Sequence, residues 1–126
     1  MKIIDTNMIL RLLMRDDEKT ADIVEELIEN STVLVMPEVV AEVVYVMTKV
    51  YKIDRGTTVS AISAFLDSDN VEIEKAGAVR KGLEYYGKTS LDFVDCLLCA
   101  YNTVSGYEIC TFDKKLNNLI KRENGI

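Results

Sequence analysis

Residues 32–37 read Thr32-Val33-Leu34-Val35-Met36-Pro37, a continuous β-branched and apolar run closed by a proline. A strand with one wet face alternates apolar and polar residues, whereas an unbroken run is the pattern of a strand covered on both faces, as in a parallel sheet. Proline suits the first turn of a helix, where its missing N–H would have no partner in any case. A buried strand running straight into a helix is the building unit of an α/β fold, and the same unit recurs on either side. Residues 2–5 read as a short buried strand followed by a helix over 6–14. Asp16 or Asp17 can cap a helix over 17–30. The valine-rich stretch 37–51 far exceeds the roughly 5 to 6 residues of an ordinary strand, so it reads as a helix, apolar nearly all round. A helix opened by Asp54 or Thr57 runs to Asp67, residues 70–74 alternate as a strand, and 75–86 form a helix stopped by Gly87. Thr89 or Ser90 caps a helix over 92–104 that Gly106 ends; residues 108–111 read as a last strand, and Asp113 opens a helix to 121. Strands alternating with helical crossovers predict a three-layer α/β/α fold around a central, mainly parallel four- or five-stranded sheet. No linker or repeat interrupts it, so residues 1–126 read as a single domain.

Composition narrows the chemistry. The chain has no histidine, so a hydrolytic site built here must work through carboxylates, and carboxylates alone point to a hard cation such as Mg²⁺. The net charge of −6 counts against a protein that holds nucleic acid by a broad basic face, although carboxylates clustered round a cation would account for part of it. Arg11 and Arg15 lie four apart on one helical face, and Lys114, Lys115, Lys121 and Arg122 crowd the last helix. Such runs serve as solvated faces or as a phosphate-tracking rim. No apolar stretch approaches the roughly 18 to 20 residues of a membrane span, and the start lacks a signal-peptide pattern. With three cysteines, an odd number, the expectation is a reducing cytoplasm. Cys96 and Cys99 form C-x-x-C but sit in an apolar helical stripe, and a zinc site would lack ligands. They read as small core residues.

Four acids fall where strands end or helices begin: Asp5, Glu42, Asp95 and Asp113. In open α/β sheets ligands sit beyond the carboxyl ends of the strands. Asp92 and Asp95, three apart, share a helix face and can hold one cation between them. Each acid also has a plainer use, since acids in a first helical turn complement the helix dipole or cap the backbone. Asp5 is the hardest to explain in that way: an acid closing an apolar strand needs something to offset its desolvation.

These motifs, taken in order, resemble those of the PIN-domain ribonucleases, and the size and wording are similar to the VapC-type toxins of toxin–antitoxin pairs. Ile4-Asp5-Thr6-Asn7 resembles the opening D-T/S-N motif, and Glu42 occupies the place of the helical glutamate. Asp92-Phe93-Val94-Asp95 begins a segment similar to D-A-L-I-A-A, with Asp95 the matching acid, and Thr111-Phe112-Asp113 matches the closing T-x-D. The resemblance spans essentially the whole chain. It departs in Cys96 and Cys99, where alanines are usual, and in the short tail after the last helix. It implies a metal-dependent endoribonuclease. Asp5, Glu42, Asp95 and Asp113 would be catalytic and hold Mg²⁺ or Mn²⁺, with Asp92 a possible further ligand, while Thr6, Asn7 and Thr111 would orient water or substrate. It also implies an RNA substrate, a cognate antitoxin protein and a homodimer, with no membrane association. Two alternatives remain at this level: a PIN-like module that binds without catalysing, and a receiver-like Mg-binding signalling domain. The receiver pattern expects paired acids after the first strand, where this chain offers Asp5 alone.

Overall fold

A computed structural model describes all of residues 1–126. The chain forms two compact units, Met1–Ala76 and Gly77–Ile126. No helix is long and apolar enough to cross a membrane.

The first unit carries the sheet. Strands β1 (Lys2–Ile3), β2 (Val33–Val35) and β3 (Val71–Ile73) lie in the order β1-β2-β3. Both pairings are parallel, with Lys2 opposite Val33 and Val33 opposite Val71. Val33 and Val35 are completely buried on the central strand, while Ile3 on the edge strand is 66% exposed. The continuous apolar run thus marks the strand with a neighbour on each side. Helix α1 (Thr6–Met14) follows β1 and packs against α2 (Glu18–Asn30) and α3 (Pro37–Tyr45). Pro37 opens α3 as its first residue, and the helical path continues through a π-helical segment, Val46–Val50. The long valine-rich stretch is therefore helical throughout, with Val40, Val43, Val44 and Met47 buried. Helix α4 (Arg55–Leu66) is capped by Asp54, whose carboxylate accepts from the Thr57 N–H at 2.7 Å and the Thr57 hydroxyl at 2.9 Å. These bonds hold the Asp54 carboxyl below its ordinary pKa.

The second unit is helical. Helix α5 (Ala76–Lys88) begins at the unit boundary, α6 (Phe93–Ser105) follows it, and α7 (Lys114–Glu123) closes the chain. Gly82 is buried, and a Cβ there would stand 3.3 Å from the Leu97 Cα, so glycine permits close approach of α5 to α6. Gly106 ends α6 in the left-handed conformation at φ 79°, as its position predicts.

Four expectations need correction. The first strand is not buried: Lys2 and Ile3 are both exposed, because β1 is an edge strand paired on one side only. The sheet has three strands rather than four or five. Residues 108–111 form no strand; side-chain amides take the carbonyl just before the stretch and the one that ends it, Asn102 Nδ2 donating to Tyr107 O at 2.7 Å and Asn117 Nδ2 to Thr111 O at 2.9 Å. Gly87 does not stop α5, which runs through it to Lys88, where the Thr89 hydroxyl donates back to the Tyr85 carbonyl at 2.9 Å.

Candidate active site

In the first unit the acids stand just past the parallel strands. Asp5 follows β1 by two residues with an extended backbone (φ −95°, ψ 174°) and caps α1, its Oδ1 accepting from the Met8 N–H at 3.0 Å. Ile4 before it and Thr6 after it are buried, which fixes the turn and leaves Asp5 and Asn7 exposed. Asp5 is therefore not desolvated, which corrects the expectation raised by the sequence: the strand ends before it, and only Ile4 and Thr6 turn inward. Its second carboxylate oxygen keeps its acceptor capacity. Glu42 lies on α3, five residues beyond Pro37, exposed among buried valines 40, 43 and 44. Arg15 does not serve as a free cation here. It ends α1 in the left-handed conformation (φ 46°) and pairs with Glu18 at 2.9 Å, Asp22 at 3.3 Å and Glu25. Arg11 lies 3.6 Å from Asp16. The solvated-face reading of this basic pair holds.

The second unit gathers three further acids by their charges. Asp92 is the N-cap of α6 but makes no side-chain capping bond, which corrects the assignment of that cap to Thr89 or Ser90. Asp95 is half-buried in the first turn of α6. Its carboxyl is raised above its ordinary pKa, first by burial and then by the negative charges of Asp113 and Asp92, with no hydrogen bond or cation in opposition. Asp113 caps α7, its Oδ1 accepting from the Leu116 N–H at 2.9 Å. The Thr111 hydroxyl accepts from the Asp113 N–H at 3.0 Å. Asn117, one turn into α7, holds the Thr111 carbonyl. Sequence reading passed over Asn117; its place four residues after an N-cap aspartate was the available signal.

Neither unit alone draws three carboxylate or thiol side chains into a ready metal-holding group. The donor set nevertheless fits a hydrated hard cation. It is all oxygen, and Mg²⁺ dehydrates reluctantly, using one or two carboxylates and keeping several waters. Asp95 meets the electrostatic side of that requirement: half-buried, beside two like charges, it gains from any cation placed against it. Asp5 and Asp113 each keep one carboxylate oxygen beyond the one engaged in capping.

Parallel strands leading into helices, with acids at the start of α1, α6 and α7, define an α/β class of protein. The family model for the PIN domain matches residues 2–121, and the chain belongs to the PIN domain family. That match spans both compact units and sets aside the receiver-like alternative. The chain is also similar to a VapC ribonuclease of Aquifex aeolicus (strain VF5), 28% identical over 124 residues that cover 94% of this chain and 92% of that protein. No solved structure gives a significant match.

Proposed function

We propose that this chain is a divalent-metal-dependent endoribonuclease, the toxin of a toxin–antitoxin pair, and that both compact units serve one nuclease domain. The observation that carries the reading is Asp95, a half-buried carboxylate opposed by Asp113 and Asp92 and relieved by no cation of the chain's own. Burial and like charges both disfavour the ionised Asp95, and a cation placed against it would favour that form. Membership of the PIN family and the similarity to a protein named as a VapC ribonuclease support RNA as the substrate.

In this reading Asp5, Glu42, Asp95 and Asp113 are the catalytic carboxylates, with Asp92 an outer member. When bound, Mg²⁺ or Mn²⁺ supplies an acidified water and positive charge at the scissile phosphate. The chain's own groups set the geometry. Asp5 and Asp113 are each fixed by a backbone N–H, so their remaining oxygens keep a constant direction. The Thr111 hydroxyl, which accepts from the Asp113 backbone, still has its proton to donate toward water or phosphate. Thr6 and Asn7 offer a hydroxyl and an amide beside Asp5. The same reading assigns the protein a cytoplasmic location, a homodimeric state and an antitoxin that silences it. The deciding experiment is cleavage of single-stranded RNA with Mg²⁺, with EDTA, and by Asp95→Asn. Cleavage that needs the ion and the Asp95 carboxylate supports the assignment; cleavage unaffected by both refutes it.

A further inference from the structure

Phe112 is the most exposed large apolar side chain of the protein, its ring wholly in water. It sits in a turn whose backbone is held on both sides. The Thr111 hydroxyl accepts the Asp113 N–H at 3.0 Å, Asn117 donates to the Thr111 carbonyl at 2.9 Å, and Asp113 Oδ1 accepts from Leu116 at 2.9 Å. A fixed backbone with a free ring is a presented surface. Beside it opens a hollow of about 380 Å³ lined by Glu108, Ile109, Cys110, Thr111, Phe112 and Asn117. The lining combines an aromatic face with a carboxylate, a hydroxyl and an amide. The exposed Lys114 and Lys115 follow directly.

We propose that Phe112 is a substrate-positioning residue, its ring stacking on an unpaired nucleobase of single-stranded RNA beside the phosphate that faces Asp113, with the base edge over the hollow. The inference rests on the ribonuclease reading and adds to it the residue that seats the substrate. Every base offers a π-face, so an aromatic ring grips unpaired bases with little sequence preference; one stacked base changes affinity by roughly five- to hundredfold. A duplex keeps its bases stacked on one another and offers none to Phe112. The two lysines supply positive charge for adjoining phosphates. A protein-docking surface is a poorer fit. Such a face needs about 800 Å² per partner and a core depleted in charge, whereas Phe112 is bordered by Thr111, Asp113, Lys114 and Lys115.

The chain contains no tryptophan, so Phe112→Trp in an Asp95→Asn background creates a single emission reporter that leaves RNA intact. Titration in EDTA with an unstructured RNA oligonucleotide should quench it saturably, and the same RNA annealed to its complement should not. In the otherwise wild-type enzyme, Phe112→Ala should raise KM for single-stranded RNA about tenfold while kcat stays within about twofold, and Phe112→Tyr should restore KM. An unchanged KM, or reporter emission that RNA does not move, overturns the proposal. So does a Phe112→Ala protein that turns from dimer to monomer with RNA affinity intact, which would make the ring a contact for a second copy. If the wild-type protein cleaves no RNA yet the reporter is quenched, the ribonuclease reading fails while the stacking contact stands.

Discussion

The starts of α1 and α7 and the start of α6 all use aspartate, and they use it differently. Asp5 and Asp113 each give one oxygen to a backbone N–H, at 3.0 Å from Met8 and 2.9 Å from Leu116. At α6, Asp92 makes no capping bond, and Asp95 is desolvated against two like charges. The first arrangement stabilises the fold whether or not the protein does chemistry. The second is a cost that folding carries and that a cation bound there would offset. Candidate acids are therefore better ranked by what their oxygens are not doing than by where they stand in the sequence.

The largest effect is expected from Asp95→Asn, which should lower Mg²⁺-dependent RNA cleavage by about a hundredfold or more. In EDTA at neutral pH the same variant should melt higher than wild type, because a desolvated charge and its repulsions are gone. A lower metal-free Tm would make Asp95 a structural residue and collapse the contrast. The sign of its pH dependence follows from the raised carboxyl. The folded state holds the Asp95 proton more tightly than the unfolded chain, so its contribution is fully favourable below the unfolded pKa and is lost as pH rises through the folded one. The Tm advantage of Asp95→Asn should therefore shrink on acidification below the ordinary aspartate range, a trend that melting curves at a series of pH values would check.

Metal comes next. Mg²⁺ at tenfold its dissociation constant should stabilise wild type by about 1.4 kcal/mol, and Asp95→Asn far less at the same concentration. An equal gain in both proteins, read by thermal melts, would place the ion elsewhere. The capping acids give a smaller and different signature. Asp5→Ala and Asp113→Ala should each cost about 1 kcal/mol of stability, whereas the Asn variants, which also cap well, should cost only a few tenths. Cleavage should fall with either substitution. A fully active Asn variant would reduce that aspartate to a cap. The smallest effect is a control. The Thr58 hydroxyl is buried without a partner and belongs to no candidate site, so Thr58→Val should gain about 1 kcal/mol in denaturant unfolding and leave cleavage unchanged.

Much of this was legible in the residues. Val33–Val35 identified the central parallel strand because burial on both faces demands an unbroken apolar run, and the length of the stretch from Pro37 to Val50 excluded a strand. Asp54, Gly106 and Asp113 marked helix ends by local backbone chemistry that needs no tertiary information. Residues 108–111 were misread for the converse reason. Ile109 and Cys110 suit a strand, but pairing depends on a neighbour, and here Asn102 and Asn117 engage the nearby carbonyls instead. The acids were found by position, while the distinction between capping and desolvated carboxylates depends on which N–H each oxygen meets. Phe112 gave no signal, since only the structure shows that its ring is uncovered.

The three thiols divide sharply by reactivity. Cys96 and Cys99 are wholly buried, and burial, with smaller contributions from the charge of Glu123 and from Cys96, pushes the Cys99 thiol up to about 11, so very little thiolate forms there at neutral pH. Cys110 alone is exposed, three residues before Asp113. A maleimide or iodoacetamide dye would therefore mark one known place on the native protein, beside the turn that carries Thr111 and Asp113, with no cysteine to be removed first.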